Sequence, residues 1–123
     1  MVVMFDDADE AIARVEDDVR RAQQRAARMS QLQSATAAAR GVGRHREVVV
    51  EVDHTGELTA LRIADAALSR GGAGVARLVL DTVRDARADL RRNLLTAAAE
   101  VLGDDDPVLD GLRAQLEPSG AAR

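Results

Sequence analysis

The sequence predicts an α+β fold in which two long helices enclose a small antiparallel sheet and a short helix follows at the C-terminal end. Three observations carry this. Apolar residues recur at steps of three and four from Ala8 to Met29 and again from Val75 to Val101. Between them, "REVVVEVDHTGELTALRI", Arg46 to Ile63, has the alternation and turn chemistry of a β-hairpin. The 123 residues also fall within the roughly 100–200 expected of one domain, so a single small core is the default.

Asp6 and Asp7 precede "ADEAIARVEDDVRRAQQRAARM" and supply a cap and first-turn acids, which places the first helix start near Ala8. Its apolar positions Ala8, Ile12, Val15, Val19, Ala22, Ala26 and Met29 alternate steps of four and three, the pattern of a two-helix seam. Glu10 with Arg14, Glu16 with Arg20 and Asp17 with Arg21 are i,i+4 pairs in the favourable order. From Ser30 to Gly43 the period breaks: "SATAAAR" has helical propensity, Gly41 and Gly43 follow, and composition alone does not decide between helix and strand for residues 33–40.

In the hairpin, Val48, Val50 and Val52 alternate with Val49, Glu51 and Asp53, "DHTG" turns with Gly56 at its end, and Leu58, Leu61 and Ile63 belong to the returning strand. "SRGGAG" then reads as a flexible loop. A second helix follows from about Val75 to Leu102, with Val75, Leu78, Val79, Val83, Ala86, Leu90, Leu94, Ala97 and Val101 on one face. Leu80, Leu95 and Leu102 lie off that stripe and call for cover from a second chain. Gly103 ends the helix, and Asp106 with Pro107 opens a short peripheral one to about Leu116. The domain is therefore drawn over residues 1–103, with residues 104–123 as a short helix and a disordered tail.

Phe5 is the only aromatic residue, so the core is built from Ala, Val, Leu and Ile, which bury little area each. A chain with so thin a core gains burial by pairing with a copy of itself. Absence of cysteine excludes disulfides, thiolate nucleophiles and Cys-based zinc sites, and fits a reducing cytoplasm. "MVVMF" is too short for a signal-peptide core, and no apolar run approaches the roughly 18 residues that span a bilayer.

All seventeen basic residues are arginine, and the net charge is −4. That average hides a segregation: Arg20 to Arg46 holds seven arginines and no acid, while the rest of the chain holds ten arginines against all twenty-one acids. A basic segment on an acidic body points to a polyanionic partner. The acids Asp81, Asp85 and Asp89, spaced by four on the second helix, suit a basic protein instead.

Catalytic and cofactor chemistry finds little support. His45 and His54, the only histidines, have no triad partners in the sequence pattern, and Asp53 and His54 are favoured in a turn for backbone reasons. Asp104, Asp105, Asp106 and Asp110 fail as a calcium loop, which needs an oxygen ligand where Val108 stands and glycine where Leu109 stands. "GAGVAR" opens like a dinucleotide fingerprint but has Arg77 in place of the third glycine, so Gly71, Gly72 and Gly74 read as loop. No cofactor, no metal and no enzymatic activity are expected.

A sheet without aromatics cannot stack bases, which leaves guanidinium–phosphate attraction and favours duplex DNA over single strands. The candidate DNA contacts are Arg20, Arg21, Arg25, Arg28, Arg40, Arg44 and Arg46. Gln23, Gln24, Gln31 and Gln33 stand among them as possible base readers.

The order of elements, a charged helix, a glycine-containing link into "VVVEVDHTGELTALRI", a short "ADAAL" and the long "LVLDTVRDARADL" helix, resembles the YbaB/EbfC family of small bacterial nucleoid-associated proteins, in an actinobacterial-type form. The resemblance covers about Ala8 to Leu102. Ile63, Asp65 and Leu68 fit its segment before the last helix, while the proline expected there is missing. It implies an α-β-β-β-α protomer with "SATAAAR" as first strand. It also implies a tweezer-shaped homodimer sharing its sheets, a cytoplasmic, nucleoid location, and binding to double-stranded DNA with little sequence preference. On that implication Val48 and Val50 join Leu80, Leu95 and Leu102 at the dimer interface. Proteins similar to this family also include accessory factors of type VII secretion loci, which makes a basic protein partner the alternative.

Overall fold

The computed structural model describes the backbone from Val2 to Leu116 and the side chains from Asp7. Along the chain run α1 (Val2–Ala37), β1 (Gly41–His45), β2 (Val48–Val52), β3 (Leu58–Ile63), a 3-10 helix (Asp65–Arg70), α2 (Gly71–Leu102) and α3 (Pro107–Leu116). This is the expected α-β-β-β-α order with a short terminal helix. The tail expected after Leu116 lies outside the described residues. Two compact units are present, Met1–Gln31 and Leu32–Arg123.

The first unit is the greater part of α1. Its backbone is helical from Val2, so the start expected near Ala8 comes too late. Every described side chain from Asp7 to Gln31 is exposed. The ion pairs form at i,i+3 rather than at the expected i,i+4: Arg20 with Asp17 at 3.1 Å and Arg21 with Asp18 at 3.2 Å.

In the second unit, α1 continues to Ala37, and the helical propensity of "SATA" prevails over the strand implied there by resemblance. The Thr36 hydroxyl bonds back to the Leu32 carbonyl, and the Arg40 guanidinium caps the helix end by donating to the Ala37 and Ala39 carbonyls at 3.0 and 2.8 Å. The first strand is instead "GVGRH", the segment expected to be a link.

β1, β2 and β3 form one antiparallel sheet in sequence order. Val48, Val50 and Val52 point to one face and are fully buried with Ala39, Leu78, Ala86 and Leu90, and Val79, Val83 and Leu94 pack around them. The turn after β2 is held by the Asp53 carboxylate, which accepts from the Thr55 amide and hydroxyl and from the Glu57 amide. The hydroxyl bond of Thr55, followed by these amides, lowers the Asp53 pKa. Gly56 takes a φ of 89°, which favours glycine.

Gly41 and Gly43 occupy the inward positions of β1. A Cβ on Gly43 would collide with the Thr82 carbonyl and lie 2.7 Å from the Ala86 amide; one on Gly41 would collide with the Ala86 carbonyl and lie 2.8 Å from Leu90. The backbone of α2 thus rests directly on β1. Thr82, absent from the expected apolar stripe, is fully buried and donates to the Leu78 carbonyl at 2.7 Å. α2 begins at Gly71 rather than near Val75, so the glycines read as a loop form its first turn. α3 starts at Pro107 as expected, with Asp106 accepting from the Val108 amide, and packs on α2 with Leu109 fully buried.

Replacing Gly43 by alanine is expected to cost about 3 kcal/mol, the upper end for overpacking, because the opposing atoms are backbone. Gly72→Ala, helical and in open space, should instead gain up to about 1 kcal/mol. Urea denaturation of both variants gives the comparison.

Candidate nucleic-acid interface

The seven arginines marked by their sequence segregation divide between the units, with Arg20, Arg21, Arg25 and Arg28 in the first and Arg40, Arg44 and Arg46 in the second. All seven are exposed. Three are engaged within the chain: Arg20 and Arg21 by their aspartates, and Arg40 by the carbonyls that end α1. Arg25, Arg28, Arg44 and Arg46 make no side-chain hydrogen bond or ion pair among the described residues. A guanidinium without a protein partner keeps its five donors for a ligand.

The sheet places two arginines together that the sequence kept apart. Arg44 on β1 pairs with Val49 on β2, which pairs with Arg62 on β3. These three form one cross-strand row on the face opposite the core valines, with the arginine Cα atoms two strand spacings apart, about 10 Å. Arg62 was not among the sequence candidates; only the strand register reveals it as a neighbour of Arg44.

Arg46 sits in the tight β1–β2 turn at φ 56°, a left-handed conformation uncommon for arginine. Beside it, Glu47 pairs with Arg70 at 3.1 Å. Hydrogen bonding from Arg70, aided by the charges of Arg70 and Arg46, lowers the Glu47 pKa. That carboxylate is therefore ionised and committed to Arg70, and Arg46 remains free of a direct pair.

The acidic row of α2 is largely engaged as well. Asp89 accepts from the Val42 amide of β1 at 2.9 Å and from Asn93, and pairs with Arg92; Asn93 in turn donates to the Arg40 carbonyl at 2.7 Å. Asp81 pairs with Arg84 at 3.4 Å. Asp85 alone is exposed without a partner among the described residues. Asp89 thus fastens α2 to the sheet edge.

The residues expected at a dimer interface separate too. Val48 and Val50 belong to the protomer's own core under α2 and offer no free surface. Leu95 and Leu102 are half-buried, and Leu95 lines a groove with Thr96, Ala99, Asp104 and Arg113 where α3 meets α2. Leu80 is exposed. Missing from the expected interface are Leu58, Leu61 and Ile63, which pair with the core valines yet are exposed, because α2 lies over β1 and β2 and leaves β3 uncovered.

Among the described residues, no three His, Cys, Asp or Glu side chains gather as a metal-ligand set, and no helix is long and apolar enough to cross a membrane. His54 lies exposed in its turn. Residues 12–104 match the model of the YbaB/EbfC DNA-binding family. Comparison with curated proteins finds no match.

Asp89→Ala should lower stability by about 1–2 kcal/mol through loss of the Val42 bond. Asp85→Ala should stay within about 0.5 kcal/mol, as for an unpartnered surface site. Chemical denaturation of the two variants separates a fastening aspartate from a merely solvated one.

Proposed function

The chain belongs to the YbaB/EbfC DNA-binding family, and from that premise we propose that it binds double-stranded DNA as a homodimer, through arginine–phosphate contacts and with little sequence preference. The observation that carries this reading is the run from Arg20 to Arg46, seven arginines without an acid, of which Arg25, Arg28, Arg44 and Arg46 have no partner within the described chain. Each unit brings its own free cations. Arg20, Arg21 and Arg40 supplement them where phosphate outcompetes their weak exposed bonds, and Arg62 adds to Arg44 on the sheet.

Phosphate contacts fix position on a duplex but carry no base information. The sheet's outer face, with Val42, Arg44, Val49, Glu51 and Arg62, has no aromatic platform for unstacked bases, which favours the duplex. The acidic body repels DNA elsewhere and favours contact at the basic segment and the adjoining Arg62. This reading places the protein at the nucleoid, in the cytoplasm, and assigns it no catalytic step. The dimer rests on a different observation, the exposed Leu58, Leu61 and Ile63 beside a core without aromatics. A second copy covering them completes the burial that α2 leaves undone.

With about six phosphates neutralised per dimer, log K for a duplex probe should fall with log salt at a slope of about −5. Arg28→Glu with Arg44→Glu should abolish the low-salt anisotropy change while leaving the oligomeric state intact. A wild-type protein that gives no change with duplex DNA at low salt would sink the DNA reading.

Light scattering on a size-exclusion column should give at least a dimer mass for the wild type and a lower mass for Leu61→Asp, since a carboxylate buried without a partner costs several kcal/mol. A wild-type monomer at micromolar concentration would remove the homodimer.

A further inference from the structure

We propose that the apolar seam of α1 docks antiparallel on the same seam of a second copy, with the midpoint between Arg20 and Arg21. The starting point is a helix stretch whose apolar side chains are all exposed among the described residues. Ile12, Val15, Val19 and Met29 are 56%, 61%, 50% and 53% exposed, and with Ala22 and Ala26 they make one continuous stripe. Most helical stability in proteins comes from packing an apolar face, so a helix with this seam bare is incompletely stabilised. Steps of three and four along the stripe are those of a two-stranded coiled coil.

Charge identifies the occupant and its direction. Asp7 to Asp18 carries six acids and one arginine, while Val19 to Ala37 carries four arginines and no acid. Parallel pairing sets acidic half on acidic half and basic on basic. Antiparallel pairing sets each acidic half against the basic half of the other copy, and no partner of different sequence is needed to neutralise either.

Packing gives the same answer independently. A parallel pair stacks Ile12, Val15 and Val19 each on itself at one end and Ala22 and Ala26 on themselves at the other, which tapers the interface. The antiparallel register opposes Val19 to Ala22, Val15 to Ala26 and Ile12 to Met29 of the second copy, so large side chains meet small ones along most of the seam. In that register Asp18, flanking the seam, comes opposite Arg25 of the second copy, and Arg25 opposite its Asp18. Glu16 faces the neutral Gln23. Arg20, Arg21 and Arg28 fall on the outer side of the pair, where they remain open to solvent. The inference holds whether or not the protein binds DNA.

The full chain has no cysteine, so engineered disulfides report the register directly. Ile12→Cys and Met29→Cys chains of different isotopic mass are oxidised separately and together, without DNA, with Gln24→Cys on the outer face as a collision control. Antiparallel docking predicts a mixed Ile12–Met29 disulfide at least about tenfold above that control, with neither variant crosslinking to itself above background. Asp18→Arg should reduce the mixed product several-fold, and adding Arg25→Asp should restore it. A dominant Ile12→Cys homodimer means parallel pairing and overturns the proposal, as does a mixed yield no higher than that of Gln24→Cys. All the altered side chains are exposed, and helix content by circular dichroism verifies folding. With Leu61→Asp added to the cysteine chains the mixed disulfide should persist, and its loss there would overturn the proposal. Duplex binding is a separate measurement, so either idea can fail alone.

Discussion

The contact on which the second unit depends is the seating of the α2 backbone on Gly41 and Gly43. No side chain separates the Thr82 and Ala86 backbone from β1, so the helix lies closer to the sheet than Leu or Val could allow. This position follows from small residues on both sides. It lets Val48, Val50 and Val52, with Leu78 and Leu90, fill a core that, among the described residues, has no aromatic ring to occupy a wider gap. It also sets α2 over β1 and β2, within reach of the edge, where Asp89 takes the Val42 amide and Asn93 the Arg40 carbonyl. The uncovered inner face of β3 is the geometric consequence.

The same seating directs the charges. Since the inward positions of β1 are glycine, its outward positions carry Val42 and Arg44, and the antiparallel register brings Arg44 into one row with Arg62. Arginines elsewhere are sorted by what lies one helical turn away: Asp17 and Asp18 occupy Arg20 and Arg21, whereas Arg25 and Arg28 have no acid within four residues. A chain with a net charge of −4 thus holds free guanidinium groups in both units. Net charge alone is a poor guide to a polyanion partner when the acids are spent on α2 and its own arginines.

What the sequence disclosed follows the physics of each element. The hairpin was legible because Val48, Val50 and Val52 alternate and Asp53 to Gly56 has the chemistry of a tight turn; the α3 start was legible because Asp106 and Pro107 are a cap and a first helical residue. β1 was hidden because a strand whose inward residues are glycine has no hydrophobic alternation to show. Resemblance then moved the strand onto "SATAAAR", against a propensity that proved decisive. Thr82 was hidden for a similar reason: a hydroxyl satisfied by the Leu78 carbonyl is as buried as an alkyl group but does not look apolar. Val48 and Val50 were visible as apolar, but whether they face the protomer's helix or a second chain depends on where α2 sits. Arg62 required the register.

The two units meet one shortage in different ways. In a chain poor in bulky side chains, burial comes either from bringing backbones unusually close or from adding another chain. The second unit takes the first course over β1, and its large apolar side chains left exposed are those of β3 with Val42, Leu68, Leu80 and Val108. A lone helix has no such course, because it has no second layer of its own to approach. The α1 seam, with larger side chains at Ile12, Val15 and Val19 followed by Ala22 and Ala26, is useful only when another helix of complementary profile lies against it. Its own reverse supplies that profile, with Ala22 and Ala26 opposite Val19 and Val15, and the acidic and basic halves exchanged. The charge gradient along α1 therefore serves more than the attraction of a polyanion: it distinguishes one direction of self-association from the other, while most of its arginines stay on the outer side.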